Sequence, residues 1–485
     1  MIKLPFRNTY ARLPEDFYTI TNPTPVKQAT LFKFNHELAK ELGIEELGED
    51  TDIAEYLSGN KILEGSEPIA MAYSGHQFGG FSPQLGDGRA ILLGEVKAED
   101  DIRYDIQLKG SGKTPWSRGG DGRSALGPVI REYLLSEAMH KLGVKTTRAL
   151  AAVTTGETVA RETPTPGGII TRVSTGFVRV GTFQYFSSQG RVDDLKKLSA
   201  YEIGRHYPSV KTSSKFLKAV VDAQAKLIAK WMSLGFIHGV MNTDNMSIAG
   251  ETIDYGPCAF MDDFSHDRVY SFIDKQGRYA YQNQPQIGQW NLVRFAETLL
   301  PLFADYVTPE QGKPEEVVVM YAQEALNQYE GLYKQYWLNE MRQKIGLAPT
   351  DFQNIMQEGK ADFTLTFYHL SQDLENQDSL ENVRSLFENP EDFDVWAKKW
   401  KMRLKQEEST VTEQQALMQS VNPVYIPRNH QVEAAIRAAE DHNDFSKFEE
   451  LHEVLQNPYQ RQEGRDDYML PPKPEEVVQN TFCGT

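Results

Sequence analysis

Two polar turns ten residues apart constrain this 485-residue chain more than any other feature: His238-Gly-Val-Met-Asn-Thr-Asp244-Asn245, and Asp254-Tyr255-Gly256-Pro257. Both follow apolar residues, Phe236-Ile237 and Ile253, so a fold that uses them must bring two loops together at the edge of a core. Asn245 and Asp254 supply the hard oxygen ligands that Mg²⁺ prefers, and Asp244 is a candidate base beside them. The same residue types also populate turns for backbone reasons alone, because Asn and Asp cap their own turns and Gly accepts left-handed geometry.

The flanking patterns place these turns. Leu217, Val220, Val221, Gln224, Leu227, Ile228 and Trp231 recur at helical spacing, and Gly235 ends that helix just before Phe236-Ile237-His238. His238 is expected to brace the loop; it has no Cys or His neighbours in sequence with which to hold zinc. Kinase-type phosphoryl transfer uses this order of Asp, Asn and Asp-aromatic-Gly, with a short hairpin between the loops. Such enzymes also need a Lys on a strand paired with a Glu on the following helix. Tyr104-Asp-Ile-Gln-Leu-Lys109 alternates apolar and polar residues, which puts Lys109 on the polar face of a half-buried strand. Val129, Ile130, Tyr133, Leu134, Ala138 and Met139 trace a helix that starts near Pro128, stops at Gly143 and carries Glu132. Taken singly, Lys109 and Glu132 read as solvated surface charges; the conjunction with Asp244, Asn245 and Asp254 gives them a role.

Glycine and arginine mark where an anion would lie. Gly86-Asp87-Gly88-Arg89 opens a strand at Ala90, and two glycines around one residue let backbone amides approach phosphate oxygens. Lys109-Gly-Ser-Gly-Lys113 and Arg118-Gly-Gly-Asp121-Gly122-Arg123 together can wrap an anion or form a flexible surface loop, and they do not contain the P-loop pattern. Arg172 and Arg179 sit in apolar strand-like pieces around Ser174-Thr175-Gly176, so a hairpin or bent strand could aim both into one cleft. Each needs a carboxylate or a phosphate to face.

Tyr73-Ser-Gly-His-Gln-Phe-Gly79, Gln84-Leu-Gly-Asp-Gly-Arg89, Gln107-Leu-Lys-Gly-Ser-Gly112, Gly120-Asp-Gly-Arg-Ser124, Arg131-Glu-Tyr-Leu134 and the two turns above resemble the selenoprotein O family over nearly the whole chain. The resemblance implies a protein-kinase-like fold that binds ATP in an inverted orientation and transfers AMP to Ser, Thr or Tyr hydroxyls of proteins; UTP is a further possible donor. It assigns Lys109, Asp121, Gly122, Arg172 and Arg179 to the outer phosphates, with Glu132 positioning Lys109. Gly86, Gly88 and Arg89 would also contact ATP, Asp244 would accept the hydroxyl proton, and Asn245 with Asp254 would hold Mg²⁺ or Mn²⁺. Attack at the α-phosphorus makes pyrophosphate the leaving group, which calls for cations beyond one Lys, and Arg172 and Arg179 meet that need. An ordinary kinase-type phosphotransferase stays open, as does a nucleotide-binding pseudokinase scaffold.

The expected organisation is α+β and bilobal, with a mixed α/β N-lobe in residues 1–186 and a mainly helical C-lobe in 187–485. Thr163-Pro-Thr-Pro-Gly-Gly168 reads as a turn within the first lobe, and Val317 to Ile345 and Gln431 to Leu455 read as amphipathic helices. A net charge of −17 argues against nonspecific nucleic-acid binding. No secretory signal and no window of membrane-span length is visible, so a monomeric cytoplasmic enzyme without membrane or nucleic-acid partners is expected. The two cysteines, Cys258 and Cys483, exclude a disulfide scaffold. Two free thiols are the default in a cytoplasmic protein; in family members a Cys or selenocysteine near the C-terminus is associated with redox control, so the resemblance suggests a regulatory Cys258–Cys483 bridge as the sharper alternative.

Overall fold

The structure, a computed structural model, describes residues 4–44, 48–304, 307, 313–346, 352–374 and 380–482. Its first half is built on an antiparallel sheet with the strand order Tyr18–Ile20, Ile69–Met71, Ala90–Lys97, Arg103–Lys109, Pro164–Ser174, Arg148–Ala160 and Thr30–Phe34, plus the short strand Ser124–Ala125 beside Pro164–Ser174. Strands alternate with helices unevenly along the chain and all sheet pairings are antiparallel, so the molecule is α+β.

One sheet face packs Leu93, Ile106, Leu108, Val153, Ile169 and Val173 against the helices His36–Glu41 and Asp50–Leu57. The sequence patterns near the N-terminus did not reveal these short helices, nor the strands Tyr18–Ile20 and Thr30–Phe34. The helix Leu126–Lys141 covers the opposite face and is buried almost all round. Such a helix must have a second partner. That partner is distant in sequence: Asn429–His442 and Ser446–Leu455 fold back onto it, with Tyr133 edge-on to Phe448 at 5.6 Å and Arg131 donating to Asn429 Oδ1 at 2.8 Å.

Three local readings change in the structure. Arg103–Lys109 is buried on both faces from Asp105 onward, because its polar face meets charged partners and not water. Pro164 to Gly168 lie inside the strand Pro164–Ser174; the strand begins at a proline and shifts register between Pro166 and Gly168, two places where a missing backbone N–H is tolerated. Phe177 to Arg179 form no hairpin with Ile169–Val173. They run extended, bridge once to Ser247, and lead into the helix Val180–Ser188 with Arg179 as its N-cap.

The second half centres on the helix Ser213–Leu234, which packs between Gln284–Phe303 and Gln328–Ile345. Gly235 caps it with φ +70°, a left-handed turn that glycine makes without strain. The chain then enters Phe236–Ile237, which pairs with Ala259–Phe260. This short ladder brings the Asp244 and Asp254 loops to one place. Between the loops there is no hairpin: Ser247 bridges to Arg179 and Thr252 to Thr146, so the segment is tied to the first half of the chain.

Candidate active site

The sheet register dictates which cations share a face. Lys109 lies opposite Ile170 and Gln107 opposite Arg172, so side chains two residues apart on adjacent strands point the same way. Lys109 Nζ stands 2.7 Å from Glu132 Oε2 and 3.3 Å from Asp254 Oδ1. Arg172 Nε donates to the other Glu132 oxygen at 2.6 Å, and its Nη2 lies against Asp254 Oδ1. Arg179 stacks on Tyr73, 4.3 Å from the ring centroid, donates to the Asp244 backbone carbonyl at 3.1 Å, and stands 3.6 Å from Asp254 Oδ2 and 3.9 Å from Asp87 Oδ1. The expected Lys109–Glu132 pair is therefore present and buried, with side chains 8% and 3% exposed.

Asp254 is the cluster's most open carboxylate, 22% exposed, and its φ of +61° puts it where non-glycine residues sit only at a cost. Burial works against its ionisation, but the charges of Arg172, Lys109 and Arg179 hold its pKa well below the usual carboxylate range. Asp244 differs. Burial pushes its pKa up to about 6, against the hydrogen bond that Gln77 Nε2 donates to Oδ2 at 3.0 Å. Its Oδ1 is buried with no hydrogen-bond partner among the described residues. Burial likewise raises Asp87 to about 6, partly countered by Arg179. His238 is braced as expected, its Nε2 2.9 Å from the Ile253 carbonyl.

These groups open onto a cleft of about 630 Å³. Gly86, Gly88, Arg89, Lys109, Asp121, Gly122, Arg172, Arg179, Asp244, Asn245 and Asp254 all line it; Glu132 stands behind Lys109. Seven basic side chains (Arg89, Lys109, Arg118, Arg123, Arg161, Arg172, Arg179) face it against four acidic ones (Asp87, Asp121, Asp244, Asp254), a surplus of positive charge in a chain of net charge −17. A larger hollow of about 1070 Å³ around Trp396 and Trp400 contains none of the expected residues.

The glycines are required by close packing. A methyl group on Gly86 (φ +66°) would fall 2.3 Å from the Trp116 ring, and one on Gly122 (φ +68°) would fall 2.1 Å from the Gly112 carbonyl oxygen. Asp121 lies at the outer lip, exposed, with Arg161 at 2.9 Å and the Arg123 backbone N–H at 2.9 Å. Its carboxylate is thus spent on ordering the loop. Asn245 donates through Nδ2 to the Val240 carbonyl at 3.1 Å, which leaves its amide oxygen for a cation.

A family model described as "Protein adenylyltransferase SelO" matches residues 1–456. The chain belongs to the SelO family. It is 53% identical to the protein nucleotidyltransferase YdiU of Rhizobium meliloti (strain 1021) over 99% of both chains. It is 51% identical to the proteins of that name in Bradyrhizobium sp. (strain ORS 278) and Rhodopseudomonas palustris (strain HaA2), over the full length of both chains in each case. It is thus an enzyme of a protein adenylyltransferase family, with nucleotidyltransferases as its relatives. No helix among the described residues is long and apolar enough to cross a membrane.

For this SelO member, sequence reasoning missed Tyr73, Gln77, Asp87, Trp116, Asn242 and Arg161 in the cleft wall. Asp87 sits between the glycines already singled out, and Tyr73 and Gln77 fall within a run quoted for the resemblance, so a search for polar residues near glycines could have found them. Nothing local marks Arg161. Cys258 is buried beside the Asp254 turn. Thr481 Oγ1 donates to the Pro257 carbonyl at 2.6 Å, bringing the C-terminal segment to that turn; Cys483 lies outside the described residues.

Proposed function

We propose that this enzyme transfers AMP from ATP to Ser, Thr or Tyr hydroxyls of proteins, with ATP inverted in a protein-kinase-like cleft and pyrophosphate released. The observation that carries this reading is the trio Lys109, Arg172 and Arg179 packed around the single open carboxylate of Asp254. Transfer of a γ-phosphate releases ADP, whereas adenylyl transfer releases pyrophosphate, which is not esterified and carries one more ionisable oxygen, and buried guanidiniums fork onto such oxygens.

In this mechanism Lys109, fixed by Glu132, and Arg172 and Arg179 leave Asp254 for the β- and γ-phosphates. Gly86, Gly88 and Gly122 allow the backbone to approach the nucleotide, and Arg89 meets it at the cleft wall. The acceptor hydroxyl donates its proton to the Asp244 carboxylate while its oxygen bonds to the α-phosphorus; the bond from that phosphorus to the bridging oxygen breaks, and pyrophosphate takes the electron pair. Asn245 and Asp254 would hold Mg²⁺ or Mn²⁺, which when bound neutralises phosphate charge. The donor set suits such an ion: among the described residues no cluster of three or more His, Cys, Asp or Glu forms a protein cage, and Mg²⁺ commonly takes one or two protein oxygens plus phosphates and water.

The test is label transfer from ATP carrying the isotope at the α- or the γ-phosphate, with metal and cell extract as acceptor. Protein labelled only from the α-position, and not by Asp254→Ala or Lys109→Ala, is the expected result. Label only from the γ-position would establish a kinase, and none from either would favour a nucleotide-binding scaffold.

A further inference from the structure

The hairpin of Gly75–Gln77 and Gly80–Ser82 is stitched to the loop that carries Asp244. The His76 backbone N–H donates to Thr243 Oγ1 at 2.7 Å, Phe78 N–H to Asn242 Oδ1 at 3.1 Å, and Gln77 Nε2 to Asp244 Oδ2 at 3.0 Å. A methyl group on Gly75 would lie 2.5 Å from Asp244 Oδ1, so the hairpin backbone rests directly on the base. The hairpin also carries the apolar side chains at this rim: Phe78 is 37% exposed and Phe81 42%. Phe78 holds φ +51°, a conformation that costs a bulky residue energy and persists only where the surroundings impose it.

Behind the turn stands an arginine without an ion pair. The Arg278 guanidinium carbon lies 4.8 Å from the centroid of the Trp290 ring and 3.6 Å from where a methyl on Gly79 would be. Its neighbour over the same ring, Arg294, pairs with Glu297 at 2.7 Å, whereas no ion pair among the described residues engages Arg278, and its Nε is buried without a hydrogen-bond partner. His76 links the two parts, its ring 4.9 Å from Phe81 and 5.3 Å from Trp290. Arg278 is held by aromatic partners, a side-chain hydrogen bond to Tyr279 and the faces of Tyr279 and Trp290, and exposed aromatics beside an arginine with no carboxylate partner have the composition of protein-binding hot spots. In a chain of net charge −17, a positive charge left unpaired here selects for a partner's carboxylate.

We propose that Phe78, Phe81, Trp290 and Arg278 form the docking rim for the acceptor protein, and that the rim takes a segment with an apolar side chain and a carboxylate close to the hydroxyl to be modified. The rim adjoins the base, so a segment lying on it delivers its hydroxyl to Asp244. The inference rests on the adenylyl-transfer reading.

Two synthetic peptides of equal length provide the probe, each with Ser, Thr and Tyr between Leu and Phe residues, one bearing two Asp and the other two Lys. The wild type should modify the Asp peptide with a kcat/KM about fivefold or more above the Lys peptide, the scale of one partly screened ion pair. Arg278→Glu should abolish or invert that preference, and Phe81→Ser should lower kcat/KM for both peptides about tenfold, as loss of an apolar anchor does. Affinity for a non-hydrolysable ATP analogue should not change in either variant; if Arg278→Glu loses it through misfolding, Arg278→Gln replaces it. Equal or reversed preference in the wild type, no modification of either peptide while extract proteins are labelled, or preference surviving the Arg278 change would each overturn the docking rim alone. Absence of α-label on every acceptor would overturn the adenylyl-transfer reading, and the rim with it.

Discussion

Arg172 and Arg428 are nearly equally hidden, 3% and 0% exposed, yet their surroundings differ in charge balance. Arg428 is one cation shared by two carboxylates, Asp262 and, at 2.8 Å, Asp362, with a further bond to the Met469 carbonyl at 2.9 Å. It clamps the C-terminal segment to the helical half and does not line the cleft. Around Arg172 three cations share Glu132 and Asp254, the carboxylates nearest Arg179 stand at 3.6 Å and 3.9 Å, and the ensemble faces a cleft. Burial of arginine therefore does not mark a site. Surplus positive charge facing open volume does, because an incoming anion can take the place of the carboxylates there.

The sharpest way to separate the two clusters is to remove a carboxylate from the open one. Asp254→Ala should cut label transfer about a thousandfold or more while leaving the melting temperature near that of the wild type, since the remaining cations can turn to water or phosphate in the cleft; a variant that unfolds would erase the contrast. Arg428→Ala should act in the opposite sense. Stranding Asp262 and Asp362 in the interior costs about 3–5 kcal/mol, read by urea denaturation, and the protein that stays folded should keep its kcat. Arg179→Lys should raise the KM for ATP about tenfold with a smaller change in kcat, because an ammonium cannot fork onto two phosphate oxygens; an unchanged KM would place the phosphates elsewhere.

A third buried cluster provides the smallest effect. Burial raises Glu202 to about 8, and among the described residues neither of its oxygens has a hydrogen-bond partner; His206 Nε2 lies 3.7 Å away and is itself lowered to about 3, first by burial and then by Arg205. A carboxylate raised above its unfolded value holds a proton in the folded state that the unfolded chain releases, so stability falls as pH climbs from the ordinary glutamate range toward 8. Glu202→Gln should melt a few degrees above the wild type at pH 8.5, with the gap closing toward pH 5. A gap constant across that range would mean that Glu202 is ionised throughout.

Much of the candidate site was legible in the sequence because its residues lie in local patterns with physical meaning. Lys109 ends an alternating strand, Glu132 sits in a helix that Pro128 and Gly143 signal and that runs from Leu126 to Lys141, and Gly235 closes the helix that leads to the Asp244 loop. Where reading failed, a distant partner had overridden a local pattern. The polar face of Arg103–Lys109 looked solvated, and it is buried because Arg205 meets Asp105 at 2.5 Å and Glu132 meets Lys109. The helix Leu126–Lys141 lacks a polar side because Asn429–His442 and Ser446–Leu455 return to cover it. No window of sequence contains either fact.

By itself, then, the sequence determined the family, the inventory of charged and glycine-rich turns, and their order along the chain, since these depend on residue identity and spacing of side chains over a few turns of backbone. Tertiary structure alone decided that Arg172 and Arg179 converge from a strand and a helix cap, that Asp254 is encircled by three cations while Asp244 Oδ1 has no hydrogen-bond partner among the described residues, and that the Gly75–Ser82 hairpin rests on Asp244. Those are matters of charge balance and distance between segments far apart in the chain, and they exist only once the sheet and the helices have closed around the cleft.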